Sequence, residues 1–261
     1  MNIPRISADS VIRKMATGRN SPYLFTCDVG KEYVVKLATS ECGKGGLLKE
    51  LIASQLANYF GILCPSPAIV RVGLDFCQYI PETEAFRQVI QSPGAHFGCE
   101  LFKGGFNTWS SNKPLPPKLK QSASDIFFFD MLIQNSDRRT ENPNLLHRDN
   151  QLVIIDHEMA FSFLYDLTPS DQPWQLRDQR RNNAEKHLFY QELKSNQPMI
   201  DVIGNNLSNL TDQDISTIVQ SLPQEWVDDE TDEQVNRIAQ HLSAAKDHAE
   251  EFVAEIKEVL A

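Results

Sequence analysis

Asp137 and Asn142 stand five positions apart in the polar run Asp137-Arg138-Arg139-Thr140-Glu141-Asn142, and Asp156 closes the apolar run LVIID further on. An Asp in a short loop can accept or orient an alcohol proton. An Asn offers Mg²⁺ a neutral oxygen without adding negative charge beside phosphates, and a further carboxylate suits the same hard ion. The implied chemistry is attack by a hydroxyl on a metal-bound phosphate, with Asp137 at the hydroxyl and Asn142 and Asp156 at the metal. Asn144 is an alternative to Asn142. A lone Asp/Asn pair is commonly a turn whose side chains cap backbone groups. Its place after a buried helix, and before a strand pair that ends in Asp, is what points to a site.

Phosphates also need a cation. In KEYVVKLAT, strand alternation puts Tyr33, Val35 and Leu37 on one face and Lys36 with Val34 on the other. Lys36 reads either as a solvated lysine of an edge strand or as a phosphate contact. Glu50, near the start of the helical run LLKELIASQLANYF, either favours a helix dipole from solvent or pairs with Lys36. A strand lysine and a helix glutamate pair in this way in protein kinases, whose catalytic Asp and metal-binding Asn also show the interval of Asp137 and Asn142. Arg138 and Arg139 read as phosphate-neutralising groups or as surface pairs. GKGG lacks P-loop spacing, and His157-Glu158 does not extend to HExxH, which argues against zinc chemistry.

Elements to position these groups are visible along the chain. A short helix is expected over Ser7–Met15, then a polar turn at Gly18–Pro22 whose Ser21 is an ordinary turn serine or an autophosphorylation site. YLFTCD and KEYVVKLAT form a hairpin about Val29-Gly30, and the helix that follows ECGKGG stops at Gly61. CPSPAIVRV and HFGCELF supply further strands. Loop-forming composition near residue 108 separates an N-terminal part, 1–108, from a C-terminal part, 109–261. Ile126, Phe127, Phe128, Phe129, Met131, Leu132 and Ile133 are apolar on all sides of a helix, which implies burial from several directions. LLH and QLVIID bracket Arg148-Asp149-Asn150 as a second hairpin that releases Asp156. The segment YDLTPSDQPWQLRDQRRNN is a solvated connector or a substrate-facing loop. Thr211 or Asp212 caps a short helix, and one long packing helix with an acidic outer face begins near Asp232.

The formal charge is −10, and Gln224–Ala261 alone carries 11 acidic and 3 basic residues. That balance opposes nucleic acid and anionic membranes, which require clustered Lys and Arg. No run is long and apolar enough for a transmembrane helix or a signal peptide. The five cysteines lack paired spacing and read as reduced thiols, so a cytoplasmic location is expected.

FDMLIQNSDRRTENPNLL followed by LVIIDHEMAF resembles the catalytic segment of HipA-like kinases, a bacterial group distantly related to phosphatidylinositol kinases. EYVVKLAT, KELIASQLANYFGILCPSPAIV and HFGCELF extend the resemblance over roughly residues 15 to 165. It implies an α+β, two-lobed protein-kinase-like fold with a small β-rich N-lobe, a mainly helical C-lobe and ATP between them. It assigns Asp137 as base, Asn142 and Asp156 as Mg²⁺ ligands, Lys36 as phosphate contact and Glu50 as its partner. The implied activity is serine/threonine kinase, with a protein substrate and, as in family toxins, an antitoxin-type protein partner. Two features depart from the eukaryotic pattern: GxGxxG is absent, and Asp156-His157-Glu158 stands in place of DFG, so no Phe-driven flip is expected. The chain also looks too short for the additional N-terminal subdomain of the larger toxins.

Overall fold

The computed structural model describes residues 3–15, 21–110, 114–166, 172–194 and 199–261. Five strands come first: β1 (Arg5–Lys14), β2 (Tyr23–Cys27), β3 (Glu32–Lys36), β4 (Pro67–Val72) and β5 (Gly94–Glu100). They close into a barrel in the order β1-β2-β3-β5-β4, in which β1 runs parallel to β4 and every other pair is antiparallel. The β2–β3 hairpin forms as expected, and Gly30 takes the positive φ that its tight turn requires.

Residues 5–14 are a strand, not the helix expected over Ser7–Met15. Irregularities between Ala8 and Ser10 and between Val11 and Arg13 break the alternation that marks a strand in sequence, while pairing to β2 and β4 holds it in the barrel. Gly18–Asn20 of the expected turn lie outside the described residues, and Ser21 follows with φ +42°.

Helix α1 (Gly43–Tyr59) starts inside the ECGKGG segment and ends, as expected, just before Gly61. It is buried continuously from Gly46 to Ala57, because the barrel covers one side and the C-terminal helices the other. Glu50 therefore lies well beyond the first turn, where a helix dipole has little effect. The stretch before Pro93 holds two short helices, α2 (Leu74–Tyr79) and α3 (Arg87–Ile90), and Ile80 and Val89 join Phe25, Val35 and Val70 in the barrel core.

Beyond the barrel, β6 (Asn107–Thr108), β7 (Leu145–Arg148) and β8 (Gln151–Ile154) form a second sheet. Helix α4 (Lys120–Leu132) is buried from Ile126 onward, as its all-round apolar pattern implies. The β7–β8 hairpin turns at Asp149-Asn150, with Arg148 still paired to Gln151. The remaining helices are α5 (Gln179–Glu185), α6 (Tyr190–Lys194), α7 (Asp201–Ser208), α8 (Asp212–Gln220), α9 (Asp229–Asp247) and α10 (Ala249–Val259). Thr211 caps α8 in a reciprocal box with Asp214.

Two expectations change here. The single helix from Asp232 starts at Asp229, behind an Asp228 cap, and breaks at His248, whose ring stacks on Trp174. The segment after Phe163 is solvated only in part: Pro173, Trp174 and Leu176 are buried, whereas Tyr165, Asp166, Gln172, Arg177 and Asp178 are exposed. The chain is mixed α+β, β-rich toward its N-terminus and helical toward its C-terminus. All five cysteines are free thiols, and no helix among the described residues is long and apolar enough to cross a membrane.

Candidate active site

Lys36, the last residue of β3, is flanked by β2 and β5 and is 8% exposed, so it is no edge-strand lysine. Its Nζ donates to Glu50 Oε1 at 2.5 Å, Asp156 Oδ1 at 2.6 Å and Glu158 Oε2 at 2.9 Å. Lys36 and Asp156 lie 120 positions apart in sequence, so the barrel and the second hairpin meet at this ammonium. Burial opposes the charge on Lys36, but the three carboxylates outweigh it and hold its pKa well above the ordinary value.

The three carboxylates divide one cation unequally. Burial raises Glu50, yet Lys36 and His157 more than reverse this and keep its carboxyl well below the usual range. His157 lies 3.6 Å from Glu50 through Nδ1, and its ring meets Phe129 edge-on. Among the described residues Asp156 has no such second partner. Burial pushes its carboxyl up to about 6, with Glu50 and Glu158 adding to the rise and Lys36 opposing it. Asp156 also holds φ at +60°, a left-handed conformation that Asp tolerates better than most residues.

Asp137 is the centre of the other half. Its Oδ2 accepts from Asn142 Nδ2 at 2.8 Å and from Asn144 Nδ2 at 3.2 Å, so both candidate amides stand at Asp137. Burial raises the Asp137 carboxyl against the pull of these amides and of Arg139. The backbone joins the halves, since Ile155 N–H donates to the Asn144 carbonyl.

Sequence reasoning missed the support beneath this loop. Arg138 is fully buried, neither a phosphate contact nor a surface pair, and its Nε donates to Asp130 Oδ2 at 2.6 Å. Its Nη1 donates to the carbonyls of Pro143, Asn144 and Ile155, so one guanidinium ties the loop to the start of the Asp156 segment. Asp130 also accepts from Asn135 Nδ2 and from His187 Nε2, each at 3.0 Å, and Asn135 Oδ1 in turn accepts from the Asp137 N–H. Burial keeps His187 neutral against the pull of Asp130, and its Nδ1 accepts from Phe189 N–H. The available signal was Asp130 itself, a carboxylate among Phe128, Phe129, Met131 and Leu132, which burial obliges to find a partner.

Glu50, Asp156 and Glu158 each offer a carboxylate oxygen, all within 4.8 Å of one another. An all-oxygen set around a site already holding an ammonium suits a hard divalent cation. The folded value for Asp156 lies above that of an unfolded chain, so this group favours folding below about pH 4 and loses that advantage as pH rises through 6. Wild type is therefore expected to lose about 1–3 kcal/mol relative to Asp156→Asn between pH 4 and 7. Urea unfolding measures it, and a pH-independent difference would refute the raised value.

Among solved structures, the protein is similar to the Helicobacter pylori proinflammatory kinase CtkA, with 14% identity and a TM-score of 0.59 over 97% of this chain and 99% of that one. The Golgi casein kinase with Mn and ADP bound is 12% identical, with a TM-score of 0.49 over 98% of this chain and 73% of that one. No curated protein matches the sequence. The sequence model of HipA-like kinases matches residues 8–255, and the chain belongs to that family.

Proposed function

We propose that the protein is an ATP-dependent kinase that transfers the γ-phosphate to a serine or threonine hydroxyl of a protein. In this reading the fold is a two-lobed kinase fold, with residues 1–108 on the nucleotide-phosphate side and 109–261 carrying the hydroxyl and metal side. The observation that carries it is the contact of Lys36 on β3 with Asp156, whose neighbour Ile155 is hydrogen-bonded to the Asn144 that also reaches Asp137. Membership of the HipA-like kinase family supports it.

Lys36 binds phosphate oxygens, and Glu50 keeps its ammonium aimed. Asp156, with Asn142 or Asn144 and with Glu158 near, would hold Mg²⁺, which neutralises phosphate charge when bound. Asp137 orients the acceptor hydroxyl. In the transfer the acceptor oxygen bonds to the γ-phosphorus, the bond from that phosphorus to the β–γ bridging oxygen breaks, ADP leaves with its electron pair, and the hydroxyl proton passes to Asp137.

Phosphoryl transfer through a loose transition state asks little of a base, so Asp137→Asn is expected to cost about 10²-fold in kcat, the low end for such groups. Its KM for ATP should be unchanged. Transfer of labelled γ-phosphate to a proteome extract, to lipid and to the protein itself tests the whole reading. Binding of Mg²⁺–ATP without any transfer would make the protein a nucleotide-binding interaction module, and transfer to lipid alone would make it a lipid kinase.

A further inference from the structure

A cavity of about 660 Å³ is lined by Arg139, Thr140 and Glu141 of the loop that carries Asp137, and not by Asp137, Lys36, Glu50 or Asp156 themselves. These loop residues line it together with Lys186 and Gln191, the carboxylates Glu185 and Glu192, and Trp109 and Phe189, whose rings meet edge-on. The loop and the segment that carries Lys186 are stitched together. Arg139 and His187 form an isolated antiparallel bridge, Leu188 N–H donates to the Arg138 carbonyl at 3.0 Å, and His187 reaches Asp130 beneath the loop. Whatever rests in the cavity therefore touches the same framework that positions Asp137.

Resting on the kinase reading, we propose that this cavity is the acceptor subsite, which takes the polypeptide segment flanking the hydroxyl to be phosphorylated. Distance supports the assignment: Arg139 is two residues from Asp137, at most about 7 Å along the chain. An extended acceptor with its hydroxyl at Asp137 carries its second neighbour about that far. Chemistry selects the class. A rim that carries Arg139 and Lys186 against Glu141, Glu185 and Glu192, with an amide and two aromatic rings, matches the side chains and backbone of a polypeptide. A polyanion requires clustered cations, and Glu141 stands on this rim. A lipid surface requires a broad exposed apolar face, which this polar rim does not provide.

The test fills the cavity without touching the machinery. Gln191 and Lys186 are exposed and lie outside the Lys36–Asp137–Asp156 set, so Gln191→Trp and Lys186→Trp are made separately and their folding checked by thermal melting. Each is assayed for ATP hydrolysis without acceptor, for transfer to a library of degenerate peptides with a central serine or threonine, and for transfer to free serine. The expected result is a loss of about 10-fold or more in kcat/KM for the library, carried by KM, in at least one folded variant. Hydrolysis and the KM for ATP should stay within about 2-fold of wild type. Unchanged library kinetics in both folded variants, or parallel losses in library transfer and hydrolysis, would overturn the subsite. So would a wild-type protein that hydrolyses ATP or modifies free serine but phosphorylates no library peptide. A wild-type protein with neither hydrolysis nor transfer removes the kinase reading itself, and the subsite with it.

Discussion

Lys36→Met is expected to abolish phosphate transfer and also to destabilise the fold by about 3–5 kcal/mol, the usual cost of removing one partner from a buried ion pair. The Lys36 ammonium contacts Glu50, Asp156 and Glu158, and without it Glu50 stays 2% exposed beside His157 with its buried carboxylate uncompensated at neutral pH. The deficit has a sign in pH. Glu50 is held ionised by Lys36 in the wild type, whereas in the variant burial favours its neutral form. The stability gap should therefore be widest above pH 7 and shrink as pH falls and the carboxyls of the variant take up protons. Millimolar Mg²⁺ or Mn²⁺ should raise the Tm of Lys36→Met more than that of the wild type, because the divalent ion replaces the missing charge. Lys36→Met/Glu50→Gln separates the two roles: stability returns and transfer does not. Equal stability of wild type and Lys36→Met at pH 8 would show that the cluster does not depend on its ammonium.

The parts of the site that could be read from sequence are those whose polar residue interrupts an apolar pattern or sits at a fixed short interval. Asp156 closes an apolar strand, Asp137 and Asn142 bracket a short loop, and Lys36 breaks the run EYVVKLAT. Glu158 follows Asp156 closely enough to have been weighed only as part of a zinc motif, so its contact with Lys36 was invisible until β3 came into register with β5. Arg138 reads like its neighbour Arg139, and nothing local distinguishes the fully buried guanidinium from the half-exposed one. The fold follows the same division. α4 and the two hairpins depend on local pattern and turn chemistry and were legible, whereas β1 depends on partners from β2 and β4 and carries two irregularities that erase its alternation. His248, at the break between α9 and α10, stacks on Trp174, a residue far away in sequence. In each case the missing information is a long-range partner that local propensity does not encode.

Arg138 gives the second large effect, and it separates stability from positioning. Arg138→Met is expected to cost about 3–5 kcal/mol, since it leaves Asp130 ionised in a fully buried position with only Asn135 and His187 as partners. Asp130 is held well below the ordinary carboxylate range: burial alone would raise it, and Arg138 with His187 reverses that. Removing both charges in Arg138→Met/Asp130→Leu should restore part of the stability, because an apolar pair can replace a buried ion pair, while His187 Nε2 and Asn135 Nδ2, left without their Asp130 acceptor, hold it below wild type. It should not restore activity. The carbonyls of Asn144 and Ile155 lose their shared donor, Asn135 loses its acceptor on Asp130, and the Asp137 loop is no longer tied to the Asp156 segment. Loosening that link is expected to lower kcat by about 10²-fold in the double variant, the size of a misplacement near 1 Å, while the KM for ATP, set by Lys36, changes little. Arg138→Lys keeps the charge but not the planar fork that reaches Asp130 and the carbonyls together, so it should fall between wild type and Arg138→Met in stability. Urea unfolding together with steady-state kinetics on the three variants decides the matter. Full activity in a stable double variant would mean that the guanidinium balances Asp130 and nothing more, and that the hairpin alone holds Asp137 against the metal side.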